Sequence, residues 1–386
     1  MSPAVPTSAD LVVIGGGIVG LATAYEAARQ GMRVVVLERD QVGSGAAGVA
    51  PGMLAPASEV DTEEPCLIEL SVTSCEMYPE FVNAVEADSG MECRYRPEGS
   101  LLVALNRDHE EELDRTATIQ HRLNLTTTRL TGREILEREP NLSPRVTAGL
   151  LAENDRQIDP RYFMPAMVAA IEKHGGTIQT GAKDARPLQA ANHVTGARFV
   201  LNGAETTIEA PAVAVTAGAW SASPIQEIFP GLPLRPLKGQ VLRLKGPSLL
   251  RHIVRTPEAY LVPRVDGELV VGATMEEQGF DRRSTAGATM DMLRRAWQVL
   301  PGLYELELTE LGVGFRPALR DNLPAIGPAP APGLFVATGH YRHGVMLAPA
   351  TARYLVEAIR TGRVPAILAP FQLARFAGAI ERRVNV

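Results

Sequence analysis

"DLVVIGGGIVGLATAYEAARQGMRVVVLERD", Asp10 to Asp40, decides the fold. Four apolar residues, Leu11 to Ile14, run straight into three glycines, as a strand buried on both faces of a parallel sheet does. Ile18, Leu21, Ala22 and Tyr25 then recur at helical spacing, Gly31 stops the helix, and "RVVVLE" supplies a second apolar run. The segment therefore reads as a βαβ unit.

Gly15, Gly17 and Gly20 fall in the spacing GxGxxG between the first strand and the helix. The first glycine permits the tight turn, the second lets a pyrophosphate approach the backbone, and the third lets helix and strand pack closely. Ile18 and Val19 open the helix, where free N–H groups and the positive dipole end favour phosphate. Glu38 ends the second run, close to the position about 20 residues past the glycines where an acid binds a ribose. A dinucleotide with a free 2′-hydroxyl is expected, which argues against NADP. Beyond Arg39 comes "VGSGAAGVAPGML", Val42 to Leu54, whose small side chains allow the backbone to follow the rest of an extended ligand.

Farther out, the pattern predicts helices over Pro65–Ala87, Asp108–His121, Arg161–His174 and Thr289–Leu300. Strands are expected at Gly99–Leu105, in "GGTIQT", and in "APAVAVTAGAWS", Ala210–Ser221, which reads as a return to the first sheet. "YLVPRVDGELVVGATME", Tyr260 to Glu276, reads as an antiparallel hairpin turning at Asp266 and Gly267. Near the end, "ATGHYRHGVMLAPATA", Ala337 to Ala352, runs from a strand end through Gly339 into a helix expected at about Val345. The fold class is α/β, with α+β character in a second unit. A Rossmann-like nucleotide-binding domain is expected over 1–90, 155–230 and 313–386, and an interleaved antiparallel-sheet substrate domain over 91–154 and 231–312.

The length of 386 residues exceeds what a single core ordinarily spans, consistent with two domains. A net charge of −6 and the lack of a basic run speak against nucleic acid. Cys66, Cys75 and Cys93 match neither a zinc pattern nor an even disulfide set, so reduced thiols and no metal are expected. With no signal-like N-terminus and no long apolar run, a soluble cytoplasmic protein away from membranes is expected.

Taken in order, the N-terminal unit, "GAAGVAPGML", "VTAGAWS", "VVGATM", "GFRPALRDNLPAIG" and "ATGHYRHGVMLAPATA" resemble the D-amino-acid oxidase superfamily of FAD enzymes, and most its glycine oxidase branch. The resemblance spans nearly the whole chain. It implies FAD as cofactor, with Glu38 and Arg39 at the ribose, Ala46 and Ala47 along the pyrophosphate, and Pro51, Gly52 and Met53 passing the flavin ring. Asp184 falls near the adenine. Gly339, His340, Tyr341, Arg342, His343, Gly344, Val345 and Met346 wrap the ring, their helix end facing the edge that gains charge on reduction. Relatives that bind flavin covalently use a C-terminal Cys or an early His; neither stands here, so dissociable FAD is implied.

For the substrate, the resemblance gives Arg316 the carboxylate, a task suited to a planar fork of donors. Tyr260 assists at the same group, Arg342 also faces the substrate, and Met275 lines the site. Glu258 stands two positions before Tyr260, where glycine oxidases carry His. No protein group is required as catalytic acid or base, because the α-hydrogen passes directly to the flavin once positioned. The implied reaction takes glycine, sarcosine or small D-amino acids with oxygen to a 2-oxo acid, ammonia and hydrogen peroxide. Related enzymes supply the imine of glycine to thiamine biosynthesis. A homo-oligomer is implied as well. The alternatives are a D-amino-acid or hydroxyproline dehydrogenase using a quinone or partner protein, a flavin-carrying subunit of a hetero-oligomer, and an NAD-dependent dehydrogenase.

Overall fold

The computed structural model of the chain describes residues 5–59 and 65–376. The outer ends of the first and last expected segments, 1–4 and 377–386, lie outside the described residues.

Leu11–Ile14 sits between Val34–Leu37 and Ala212–Val215, parallel to both, with Leu11 in register with Val34 and with Ala212. Every residue of these three strands is buried. A sheet covered on both faces demands that, and it is why the strands show no alternation. Thr177–Gln179 adds one edge; Leu334–Thr338 and then Ala325–Pro328 add the other, completing six strands. Passages from the beginning, middle and end of the chain thus return to one sheet.

On one face, helices Ile18–Arg29, Pro65–Ser89, Pro160–Lys173 and Ala348–Thr361 share a core with Val13, Leu21, Tyr25, Phe81, Phe163 and Leu355. The opposite face packs Val12, Val35 and Val213 against a three-stranded antiparallel sheet through Phe199 and Ile208. Asp88 ties three of the helices together. Its carboxylate accepts from the Tyr25 hydroxyl at 2.8 Å, meets His174 Nε2 at 2.7 Å and accepts from Lys173 Nζ at 3.1 Å. Burial works to raise its pKa, but the donors outweigh this and hold it at about 2. The stability this adds is full above the unfolded value and disappears as pH falls through the folded one. Asp88→Asn is expected to cost about 1–3 kcal/mol at neutral pH. In acid denaturation series its deficit should shrink as pH drops from about 4 toward 2.

The second sheet has eight strands in the order Glu307–Leu319, Leu234–Lys245, Glu268–Gly272, Tyr260–Pro263, Ile253–Arg255, Ser100–Ala104, Ala148–Ala152 and Thr128–Thr131. The expected hairpin is present, with Tyr260 opposite Gly272. An antiparallel sheet was expected throughout, yet Ser100–Ala104 and Ile253–Arg255 pair in parallel. These strands come from sections separated by a long excursion, so no tight hairpin turn dictates their direction.

Other expectations shift. The boundary set at 313 falls inside Glu307–Leu319, which stays paired to Leu234–Lys245 up to Leu319, so Arg316 stands on the eight-stranded sheet. The strand expected within Ala210–Ser221, read as breaking at Gly218, ends at Val215, and a short 3-10 turn, Gly218–Trp220, follows. The helix read from Thr289 begins at Ala286, capped by the Thr285 side chain. The last helix begins at Ala348 rather than Val345. Pro349 explains this start, since a proline fits the first turn, where its missing N–H leaves no bond unmade.

Candidate active site

A cavity of about 500 Å³ is lined by residues of both sheets and runs from the end of the first βαβ unit to Arg316 and Tyr260. At its glycine-turn end, a side chain at Gly15 would strike the backbone of Thr216 and Ala217 at 2.8 Å, and one at Gly20 would reach Gly15 O at 2.0 Å. These two glycines draw the helix against the strands. A Cβ at Gly17 would meet nothing within 4 Å, so its backbone faces open space beside Ile18 and Val19. Glu38 is held across the turn, accepting from the Gly16 N–H and the Asp40 N–H, each at 2.8 Å. Arg39, Asp184, Ala185 and Arg186 continue the wall, with Asp184 in the left-handed region at φ 51°.

From there Ala46, Ala47, Pro51 and Met53 line the middle of the cavity. Backbone clamps fix this segment. Arg161 Nε donates to Gly48 O at 2.9 Å, Arg264 Nη2 to Pro51 O at 2.6 Å, and the Ile158 N–H to Gly52 O at 2.9 Å. Burial brings the Arg264 pKa down to about 10, which leaves it a cation at neutral pH. Gly314 on the large sheet makes room for Ala46 and Val49, whose Cγ2 lies 2.3 Å from where a Cβ would stand.

The other wall is the turn before the last helix, with His340, Tyr341, Arg342, Gly344 and Val345. Ser74 donates to Met346 O at 2.7 Å and Tyr78 to Val345 O, fixing the turn from behind. His340 Nε2 lies 3.1 Å from Thr351 Oγ1, and burial with the nearby His343 pushes its pKa down to about 3. It is a neutral structural group at physiological pH. Tyr341 donates to Met275 Sδ at 3.1 Å, and the Arg342 guanidinium lies 5.2 Å from the Tyr341 ring. Gly20, Gly52, Gly339, His343 and Met346 stand behind the wall rather than in it.

The end of the cavity that holds Arg316 and Tyr260 is built by the large sheet. Arg316 Nη1 donates to Thr274 O at 3.1 Å, and no carboxylate pairs with the guanidinium among the described residues. The Tyr260 hydroxyl lies beside it. Burial pushes the Tyr260 pKa up to about 12 against the pull of Arg316 and Arg255, so the hydroxyl keeps its proton for donation. Met275 and the exposed Glu258 lie at the rim.

Sequence reasoning passed over several residues here. Gly239 and Gly272 have no room for a side chain: a Cβ at Gly239 would fall 2.5 Å from Arg316 Nη1, and one at Gly272 2.4 Å from the Tyr260 hydroxyl. Gly239→Ala should leave folding intact, because a guanidinium can swing aside. It should raise the substrate KM about tenfold, with an unchanged melting temperature as the check. Glu59, Arg255 and Arg282 also line the cavity. Trp220 does too, stacked by Phe280 at 5.1 Å and overlain by the Arg39 guanidinium at 4.8 Å. Phe280 belongs to a loop anchored from below by buried Lys238, whose Nζ donates to Arg283 O at 2.7 Å.

A glycine-turn cradle that continues into an arginine-lined pocket fits FAD: its open Gly17 backbone, locked Glu38 and small-residue wall follow an extended dinucleotide. The class these features define is a flavin-dependent oxidoreductase. The chain belongs to the family described as FAD dependent oxidoreductase (DAO), whose model matches residues 10–358. It is 31% identical to the glycine oxidase of Geobacillus kaustophilus (strain HTA426), over 96% of this chain and 98% of that protein. It is 32% identical to the bifunctional protein ThiO/ThiG of Trichormus variabilis (strain ATCC 29413 / PCC 7937), over 95% of this chain but 55% of that protein. The crystal structure of glycine oxidase from Bacillus cereus ATCC 14579 superposes with a TM-score of 0.87 at 26% identity, covering 94% of this chain and 99% of that one. The protein is an FAD-dependent amino-acid oxidase. No helix among the described residues is long and apolar enough to cross a membrane.

Proposed function

We propose that this enzyme oxidises glycine and similarly small amino acids, sarcosine and small D-amino acids among them, to the 2-oxo acid and ammonia, with oxygen as acceptor and hydrogen peroxide as co-product. The observation that carries this is Arg316, a half-buried guanidinium in the cavity wall with a backbone carbonyl and a protonated tyrosine beside it and no carboxylate partner among the described residues. Such a fork takes a carboxylate in paired, charge-assisted hydrogen bonds. The Tyr341 N–H donates to Pro317 O at 2.8 Å, which holds the turn bearing Tyr341 and Arg342 against the strand that carries Arg316 and supports a site for small substrates. The curated relatives named glycine oxidase support the same reading.

FAD, when bound, supplies the two-electron redox chemistry of C–N oxidation. The Glu38, Arg39, Asp184 and glycine-turn backbone would hold its nucleotide half. Ala46 to Met53 and His340 to Val345 would flank the remainder, without a covalent link. The protein's own part is placement. Arg316 and Tyr260 fix the carboxylate end, which limits rotation of the substrate and sets the direction of its α-carbon. Neutral His340 holds the turn in place and carries no charge into the site.

By analogy with the ThiO/ThiG relatives, the imine formed from glycine would serve thiamine thiazole synthesis. The deciding experiment is a peroxide-coupled screen of the purified yellow protein with glycine, sarcosine, N-ethylglycine, D-alanine and D-proline. Peroxide and glyoxylate in equal amounts from glycine support the proposal. Dye reduction without oxygen uptake would shift it to a dehydrogenase.

A further inference from the structure

We infer that Glu59 holds the amino group of the substrate and thereby sets the preference for amino acids over the matching 2-hydroxy acids. This rests on the proposed carboxylate site at Arg316 and Tyr260. Two acids line that end of the cavity, Glu59 and Glu258. Glu258 is exposed at the rim, whereas the Glu59 side chain is only 9% exposed.

The position of Glu59 is built rather than incidental. The N–H groups of Ala57 and Ser58 each donate to the buried Asp155 carboxylate at 3.1 Å, and Ser100 donates to the same group at 2.8 Å. That fixes the turn carrying Glu59. Arg255 Nη1 donates to Ser58 O at 2.8 Å and stands 3.3 Å from Glu59 Oε1. The second oxygen, Oε2, has His343 Nδ1 at 4.0 Å, beyond hydrogen-bond reach, and no donor among the described residues bonds to it. Glu59 also lies close enough to Tyr260 to oppose the pull of Arg316 and Arg255 on its hydroxyl.

Charge then decides the role. Arg255, Arg316 and Arg342 all line this end and repel an ammonium. In glycine the amine is two bonds from the carboxylate, so anchoring one end brings the other beside Tyr260. Glu59 is the largely buried acid there, with one oxygen turned toward Arg255 and the other without a hydrogen-bond donor among the described residues. Both an ammonium and a hydroxyl can donate to that oxygen, but only the ammonium brings a full positive charge, and the added Coulomb attraction at short range is the source of the selectivity.

The test compares glycine with glycolate, which keeps the carboxylate and replaces the amine by a hydroxyl. In the flavin-loaded protein, Glu59→Gln is expected to raise the glycine KM about tenfold while moving the competitive Ki of glycolate by no more than about twofold. Equal weakening of both ligands, or of neither, overturns the inference. Arg316→Ala run alongside weakens both ligands; were it to spare both, the carboxylate reading would fail while the Glu59 comparison still stands on its own data. Should Glu59→Gln lose its flavin, the unaltered protein is titrated without oxygen. Glycolate then binding as tightly as glycine, by flavin absorbance and by saturation of flavin reduction, overturns the assignment.

Discussion

Arg316→Ala is expected to raise the KM for glycine by about two orders of magnitude or more, with the flavin absorbance per protein unchanged. Removing one partner of a desolvated, hydrogen-bonded charge pair costs about 2–5 kcal/mol, and no carboxylate among the described residues pairs with this guanidinium in competition with the proposed substrate carboxylate. Arg316→Lys restores the charge but not the planar fork, so it should recover only part of the loss. Steady-state kinetics beside a flavin spectrum checks both variants. A glycine KM that stays the same in Arg316→Ala would remove the basis for a carboxylate at this position. Because the residue sits at the far end of the cavity from Gly15 and Glu38, cofactor retention is the built-in control.

Gly52→Ala is expected to do the reverse, emptying the protein of flavin and lowering its melting temperature sharply. The residue is in the left-handed region at φ 73°, and an added Cβ would stand 1.9 Å from Ile158 O. Unlike the guanidinium beside Gly239, the obstacle is backbone, and it directly follows the short ladder in which Met53 pairs with Gln157. Strain and clash together place the cost above about 3 kcal/mol. The segment displaced is the one that Arg161 and Arg264 clamp by its carbonyls, so the middle of the cavity loses its wall. Thermal melts and the ratio of flavin to protein absorbance measure the outcome.

The contrast between those two glycines shows what the chain discloses on its own. The stretch from Leu11 to Glu38 is legible because strand, turn, helix and acid follow one another locally, and each position has a chemical reason for its residue. Arg316 and Tyr260 are named through family motifs, since an arginine before a proline says nothing by itself. Glu59 and Arg255 are silent in sequence: they meet because Ser58 is bonded to both Asp155 and Arg255, contacts that span about a quarter and a half of the chain. Gly239 and Gly272 are silent for another reason. Their function is an absence of volume opposite a side chain, and only the pairing of Leu237 with Arg316 and of Tyr260 with Gly272 reveals what they make room for. The parallel pairing of Ser100–Ala104 with Ile253–Arg255 is likewise a matter of long-range closure, which no local pattern encodes.

Of the two tryptophans in the chain, Trp220 lines the cavity between Phe280 and Arg39, while Trp297 stands 49% exposed on the helix Ala286–Val299. The protein thus carries two intrinsic fluorophores in unlike surroundings, one in the wall of the cavity proposed to hold the flavin and one in water. Light emitted by Trp220 is open to energy transfer into the yellow chromophore, and removing Trp297 by substitution with Phe leaves a single emitter whose intensity follows flavin release in real time.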